Sequence, residues 1–227
     1  ADIHTGGDTR YDQVLYRKQH PQPMKNNFSK PETEKKIWVL GSTWSEDENV
    51  LLPAVQIWLE QGGLVVWAPH EIHSEHIQQL EKQLAHLSLA SERYSQITKW
   101  DWQNNPILVV DEIGHLHEFY GWGHVAFVGG SFKAKIHSVM EPLSFGLPVL
   151  VGPYHLNNRE ACDFQNVLLT AETSAAMVSH NSAEMIKQLR LIKNISSPHH
   201  KILQKVEQCS GASEPVLNFI ALNIFHL

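Results

Sequence analysis

Apolar and amphipathic stretches alternate along most of this chain. Short runs of branched and aromatic residues, typical of buried strands, are separated by segments in which apolar residues recur at helical spacing. Repeated strand–helix–strand units of this length predict an α/β fold with a doubly wound, mostly parallel sheet. The predicted strands lie at 37–41, 64–68, 107–110, 124–128, 148–151, 167–170 and 175–178, with a weaker one at 94–98.

The segments between these strands carry the helix signals. The longest of them opens at Ser45 with acidic residues in its first turn and is closed by Gly62 and Gly63. Residues 20–35 are polar and rich in Pro and Lys, so we expect a linker there. Helices are predicted at 11–19, 45–62, 74–87, 115–122, 139–146 and 158–164, with two or three more in 181–223, broken at Ser197–Pro198.

Composition narrows the class of protein. Of the 227 residues, 42% are hydrophobic and 19% are charged, which is enough apolar material for the core of a large α/β domain. The net charge of −6 argues against a nucleic-acid partner or an anionic-membrane surface. The two cysteines, Cys162 and Cys209, form no CxxC pair, so we expect a reduced compartment. No apolar run has transmembrane length, and because the chain does not start with Met we expect a fragment.

The strongest candidate for chemistry is the loop and short helix that follow the apolar run 124–128. Gly129 and Gly130 allow tight backbone geometry there. Three basic residues near a helix N-terminus favour a phosphate or carboxylate, and these are Lys133, Lys135 and His137. Glu141 has the wrong charge for an anion but suits two vicinal hydroxyls, such as a ribose diol. The combination fits a nucleotide with an acidic substituent, and the alternative is a loop with solvated lysines and a capping glutamate.

Three other strand ends also point to a ligand crevice, because ligands of open α/β sheets bind beyond the carboxyl ends of the strands. Ser42 and Thr43 could hold an anion together with helix amides, although their segment matches neither GxGxxG nor a P-loop and an ordinary N-cap is the alternative. His70 projects from the turn that Pro69 rigidifies, unless it is simply a surface histidine.

The third of these strand ends is the turn of Ile113, Gly114 and His115, which could expose backbone groups to a flat ring. A plain helix N-terminus capped by Asp111 is the alternative there.

Catalytic and metal-binding patterns are absent from the sequence. His70, His73 and His76 recur at every third residue, whereas zinc helices more often use an i, i+4 pair, so we predict no metal site. No arrangement of Ser, His and Asp or of Cys and His has catalytic spacing. We therefore predict no catalytic residue and no cofactor in this chain.

Several segments together resemble a known family. GSTWSEDE, APH, DEIGHLHEFY, VAFVGGSF, HSVMEPLSFGLPVLVGP and LNNRE occur in the order seen in the carboxyl-terminal half of 3-deoxy-D-manno-octulosonic acid (Kdo) transferases, glycosyltransferase family 30. The opening GDTRYDQVL is similar to the segment that joins the two halves of that family, and the likeness covers roughly residues 6–190. It implies a Rossmann-like half of a GT-B glycosyltransferase that binds CMP-Kdo. The half with the lipid A precursor site, the membrane anchor and the catalytic glutamate is not included.

The resemblance also implies which residues contact the donor. Three positions depart from the family pattern, with His70 in place of Arg, His115 in place of an acidic residue, and Ser138 in place of Asn. The implied CMP-binding residues are Pro69, His70, Ile113, Gly114, His115, Ser138, Val139, Met140 and Glu141. Residues that could contact the phosphate or the Kdo group are Ser42, Thr43, Lys133, Lys135, Asn157, Arg159 and Glu160.

These inferences combine into one expectation. Residues 1–35 are an interdomain helix and linker, and residues 36–227 are a donor-binding domain with carboxyl-terminal helices. The parent enzyme would transfer Kdo to a lipid A precursor in lipopolysaccharide biosynthesis, without a metal, at the cytoplasmic face of the bacterial inner membrane. This fragment would be soluble and would bind CMP without catalysing transfer. The alternatives are a GT-B donor domain for a UDP-sugar and a non-catalytic nucleotide-binding module.

Overall fold

The computed structural model describes residues 7–25, 28–196 and 198–221. Within these ranges, seven strands form one sheet and every neighbouring pair is parallel. The strands are β1 Ile37–Thr43, β2 Leu64–Pro69, β3 Ser91–Arg93, β4 Ile107–Val109, β5 Val125–Val128, β6 Val149–Val151 and β7 Ala176–Val178. The predicted doubly wound α/β fold is therefore confirmed.

Helices connect the strands and extend the chain at both ends. Side chains of Asp8, Asn158 and Asn181 cap three of the helices by accepting a bond from a first-turn amide. The helices are α1 Thr9–Gln19, α2 Ser45–Glu60, α3 Ser74–His86, α4 Leu116–Tyr120, α5 Met140–Ser144, α6 Arg159–Gln165, α7 Ser182–Ile192, α8 His200–Cys209 and α9 Ser213–Ile220. None of the helices in the described residues combines the length and apolar content needed to cross a bilayer.

The strand order places a crevice at the centre of the sheet. The order is β3-β4-β2-β1-β5-β6-β7. Strands β1 to β4 form one half of the sheet and β5 to β7 form the other, so the switch point lies between the neighbouring strands β1 and β5. At such a switch point the loops that leave two neighbouring strands diverge, and a ligand fits between them. Half of the predicted site residues lie here, with Ser42 and Thr43 at the end of β1 and six more in the loop after β5 and the start of α5.

The core lies on both faces of the central strands. Trp38, Trp58 and Trp67 are almost completely buried, as their positions in apolar runs predicted. Tyr11 in α1 and Phe28 beyond it belong to the same buried cluster. The segment before β1 thus packs against the sheet domain, and the predicted domain boundary after residue 35 stays a prediction. Its outer limits, residues 1–6 and 222–227, lie outside the described part, as does Ser197.

Two of the predicted strands are wrong. Residues 94–98 contain a single 3₁₀ turn at Tyr94–Gln96, and the edge strand precedes it as β3. Residues 167–170 form no ladder, and Leu168 makes only an isolated antiparallel bridge with Ser174. Each segment contains a buried apolar residue, Tyr94 or Leu169, that lies outside any strand and gives the same kind of apolar letters as a strand.

Candidate functional site

The carboxylate of Asp47 joins the loops that leave β1 and β5. It accepts backbone N–H groups from Trp44 at 2.9 Å, from Gly130 at 2.7 Å and from Phe132 at 2.9 Å. The side chain is fully buried, and this burial raises the pKa of Asp47 although the three amide bonds act in the opposite direction. The amides of this turn, which were candidates for holding an external anion, therefore already bind an internal one.

The glycine pair after β5 has the tight geometry that was predicted. A Cβ atom on Gly129 would lie 2.1 Å from the carbonyl oxygen of Ser42. Gly130 has φ +83, and a Cβ there would lie 2.1 Å from the carbonyl oxygen of Lys135. Only glycine permits this close contact between the two loops.

The hydroxyl of Thr43 lies inside the protein, away from the crevice. It donates to Glu48 Oε1 at 3.0 Å and accepts from Trp67 Nε1 at 3.0 Å, while Nε2 of the buried His76 lies 3.1 Å from the same Glu48 oxygen. Burial raises the pKa of Glu48. The predicted phosphate contact by the Thr43 side chain does not fit this network. Neighbouring Ser42 is half-buried and has φ +55, a backbone conformation that is uncommon outside glycine.

Three aromatic rings and one ammonium group lie together beyond the carboxyl ends of β1, β2 and β5. His70 stacks on Trp44 at 4.3 Å between centroids and on His137 at 4.5 Å. Trp44 Nε1 donates to His137 Nε2 at 3.1 Å. Lys133 Nζ lies 3.6 Å from the centre of the Trp44 ring, a cation–π contact. His70 and Lys133, predicted from separate loops, thus share one surface.

The charge of His137 differs from the sequence prediction. Burial, together with nearby His70 and Lys135, lowers the pKa of His137. The ring is therefore mainly neutral near pH 7 and accepts the Trp44 N–H at Nε2. The positive charge of this loop comes from the exposed Lys133 and Lys135.

The turn after β4 and the start of α5 form the second wall. Ile113 is 83% exposed, and Gly114 has φ +98 with open space where a Cβ would stand. Glu141 is 27% exposed, and its Oε1 accepts from Arg17 Nη1 at 2.9 Å and lies 3.7 Å from Nδ1 of buried His117. Arg17 Nη2 also donates to the Gly114 carbonyl at 3.2 Å. The structure thus brings together Gly114 and Glu141, with Arg17 between them.

The remaining residues of the two loops contribute backbone or structural contacts. Val139 and Met140 are buried, so their side chains face the core and only their backbone could reach a ligand, and the exposed Ser138 accepts the Met140 amide through Oγ at 3.3 Å. His115 occupies the N-cap position of α4. Asp111, the predicted alternative cap, instead accepts from Ser95 N and Oγ at 2.9 and 2.6 Å.

The predicted residues around the start of α6 have different surroundings. Asn157 is exposed. Arg159 is also exposed, and its Nε lies 3.5 Å from Oδ2 of Asp163 on the same helix. The carboxylate of Glu160 is 4% exposed and pairs with Arg10 of α1. Glu160 therefore serves to hold α1, and its predicted contact with a donor is not available while that pair is formed.

The histidines that could suggest a metal diverge. His70 stacks on Trp44, whereas His76 turns inward to Glu48. In residues 7–25, 28–196 and 198–221, no group of three or more His, Cys, Asp or Glu side chains is placed to hold a metal ion.

Sequence reasoning missed three residues of this surface. Trp44 directly follows a strand end, and that position was the signal for it. His117 looked like an ordinary residue of a helix, and Arg17 like a residue of a linker helix, because their partner Glu141 lies far away in sequence. No local pattern could have identified these two.

Comparisons with curated proteins find several relatives of the same name. A 3-deoxy-D-manno-octulosonic acid transferase of Chlamydia pneumoniae is 35% identical over 140 residues, 61% of this chain and 31% of that protein. The transferase of the same name from Rickettsia prowazekii is 26% identical over 190 residues, 77% of this chain and 40% of that protein. The chain thus matches about a third of the length of these relatives. No family model matches it.

A solved structure has the same fold. The C-terminal CMP-Kdo-binding domain of WaaA from Acinetobacter baumannii superposes with a TM-score of 0.64 at 17% identity, covering 88% of this chain and 96% of that domain. The likeness extends over almost the whole of that domain.

Proposed function

We propose that this chain, which is similar in sequence to part of the 3-deoxy-D-manno-octulosonic acid transferases, is the donor-binding domain of such an enzyme and binds CMP-Kdo. The observation that carries the proposal is the partly exposed carboxylate of Glu141 beside the open turn at Gly114, on the ligand side of the sheet. The fold shared with a CMP-Kdo-binding domain supports it.

The nucleoside would bind between the turn after β4 and α5. Glu141 Oε1 is occupied by Arg17, and Oε2 would accept the ribose hydroxyls. The cytosine ring would lie against exposed Ile113 and the backbone at Gly114 and His115, where no Cβ obstructs a flat ring. Specificity for the base would come from backbone groups, which can be fixed by the turn before the ligand arrives.

The phosphate would lie nearer the ring cluster of Trp44, His70 and His137. Lys133 and Lys135 supply positive charge there, and the backbone at Ser138–Val139 and Pro69–His70 would border the phosphate. Ser42, Asn157 and Arg159 remain candidates for the Kdo group. The departures from the family pattern at His70 and Ser138 lie in this region and the one at His115 lies beside the base, so all three would affect affinity for the donor.

In the parent enzyme this domain would present the donor to a second half. A base in that half would remove the proton from an acceptor hydroxyl on a lipid A precursor as its oxygen attacks the anomeric carbon. The bond from that carbon to the phosphate oxygen then breaks, and CMP leaves with the electron pair, its charge stabilised by the lysines. Closure of the two halves would align the reactants and exclude water. The reaction would take place at the cytoplasmic face of the inner membrane.

Isothermal titration calorimetry with CMP, UMP and UDP tests the proposal. CMP should bind this chain more tightly than UMP or UDP. A preference for UDP would instead support a donor domain for a UDP-sugar, and equal binding of all three, or no binding at millimolar concentration, would exclude the proposal. A non-catalytic module would bind a nucleotide yet allow no transfer once the family's other half is restored.

A substitution locates the site. Glu141→Gln should weaken CMP binding about tenfold, because hydrogen bonds to a charged acceptor contribute roughly 1.5–3 kcal/mol. Glu81→Gln is a matched control, since Glu81 is a similarly exposed carboxylate paired with an arginine, Arg93, on another face. Equal effects of the two substitutions would place the nucleotide elsewhere.

A further inference from the structure

We infer that Arg17 of α1 is a positioning residue for the ribose site, holding Glu141 and the Gly114 turn in the geometry that the nucleoside requires. This inference rests on the proposed function. It assigns a role in donor binding to the helix that precedes the sheet domain, which the sequence identified only as a connector.

The guanidinium of Arg17 donates hydrogen bonds to two different groups. Nη1 donates to Glu141 Oε1 at 2.9 Å and Nη2 donates to the Gly114 carbonyl at 3.2 Å. One rigid planar group therefore bridges the two elements between which the nucleoside is proposed to lie. A lysine could satisfy one of these acceptors but not both with the same geometry, because its ammonium is a point charge on a flexible stem.

Arg17 itself is held in place by the docking of its helix. Arg10 and Arg17 are seven residues, or two turns, apart, so they project from the same face of α1. Arg10 pairs with buried Glu160 on α6, and neighbouring Lys18 donates to the Ser144 carbonyl at the end of α5 at 2.8 Å. The side chain of Arg17 is 37% exposed, so solvent reaches the site beside it.

The surroundings of Glu141 also include a buried histidine. Buried His117 lies on the inner side of the carboxylate, with Nδ1 3.7 Å from Oε1 and no hydrogen-bond partner at either ring nitrogen. Arg17 thus determines on which side the carboxylate rests and leaves Oε2 available for the ribose. Without Arg17, only the 3.7 Å contact with His117 would remain at Oε1, and the carboxylate would have to be ordered when the nucleoside binds.

The test is a titration of variants with two ligands, CMP and 2′,3′-dideoxycytidine monophosphate, which lacks the ribose diol. Arg17→Ala should weaken CMP binding about fivefold, the effect of one side chain that must be reordered. It should weaken binding of the dideoxy ligand less than about twofold, because that ligand makes no diol contact. Arg17→Lys should restore part of the CMP affinity. Gln13→Ala, a change at an exposed position of the same helix, should leave the affinity for both ligands unchanged.

The outcomes separate this inference from the function on which it rests. If the unaltered chain binds CMP but Arg17→Ala weakens both ligands equally, Arg17 has only a structural role and the inference is overturned alone. Tighter CMP binding by Arg17→Ala would mean that Arg17 competes with the ribose, which also overturns it. If the unaltered chain fails to bind CMP, the proposed function and the inference fail together.

Discussion

His124 illustrates how a single buried side chain makes the fold sensitive to pH. It lies just before β5, and its Nδ1 accepts the backbone N–H of Ile37 at 3.1 Å at the start of β1. Burial, and then Lys30 and Lys36, lower the pKa of His124 to about 4. The neutral ring thus joins two central strands, and protonation would remove its acceptor.

The sign of the resulting pH dependence follows from linkage. Between the ordinary pKa of 6.5 and the folded value of about 4, the unfolded state binds the proton and the folded state does not. The free energy of unfolding should therefore fall as the pH is lowered from 6.5 to 4. His124→Asn, which keeps an acceptor that does not titrate, should flatten this part of the curve in urea denaturation measured at several pH values. His86→Asn, a change at an exposed histidine, should leave the slope unchanged.

Some residues of the site could be predicted from the sequence, whereas their contacts and charges could not. Glu141, Gly114 and the lysines were predicted because each lies at a strand end, where local pattern implies position. The partners Arg17 and Glu141 are 124 residues apart, and their contact depends on how α1 docks. The neutral state of His137 likewise follows from burial that a sequence does not show.

At the scale of elements, the first turn of α2 organises the crevice. Asp47 occupies the third position of this helix, where a carboxylate is favoured by the helix dipole and can bond the chain before it. The same carboxylate reaches across to the loop after β5. One side chain therefore ties the ends of the two central strands together.

Replacing Asp47 should destabilise the domain strongly. Asp47→Ala leaves the amides of Trp44, Gly130 and Phe132 without their acceptor, which should lower the free energy of unfolding by roughly 3 kcal/mol. Glu46→Ala, at the exposed neighbouring position, should change it by less than about 0.5 kcal/mol. Chemical denaturation gives the free energy of unfolding of both variants. Similar losses in the two variants would show that the three hydrogen bonds of Asp47 do not contribute to stability.

Elements with a strong periodic signal were predicted with the correct type, whereas the edge strand β3 was not. Central strands such as β1 and β2 are buried on both faces and read as continuous apolar runs. The edge strand Ser91–Arg93 is short, polar and half-exposed, so it has no such signature. Tyr94, next to it, is fully buried below a turn and gave the apolar signal instead.

At the scale of the whole molecule, α1 joins parts of the chain that are distant in sequence. Arg10 pairs with Glu160, 150 residues away, and links two segments that sequence analysis could only note separately. Tyr11 beside it is buried. The helix before the sheet domain is thus part of the folded body as the structure describes it.

Removing this ion pair should cost more than an average surface pair. Arg10→Ala leaves the carboxylate of Glu160, only 4% exposed, without its partner, and we expect a loss of roughly 2–3 kcal/mol of unfolding free energy. Adding Glu160→Gln should recover part of the loss in a double-mutant cycle. Arg159→Ala, at an adjacent arginine that is 83% exposed, should have little effect. Equal losses for Arg10→Ala and Arg159→Ala would contradict the proposed coupling.

The two anchoring arginines of α1 make this helix intolerant of changes in length. An inserted or deleted residue between positions 10 and 17 would rotate one arginine by about 100° relative to the other. Only one of the acceptors Glu160 and Glu141 could then be reached. Proteins that share this arrangement should therefore diverge across these two turns by exchange of side chains and not by gain or loss of residues.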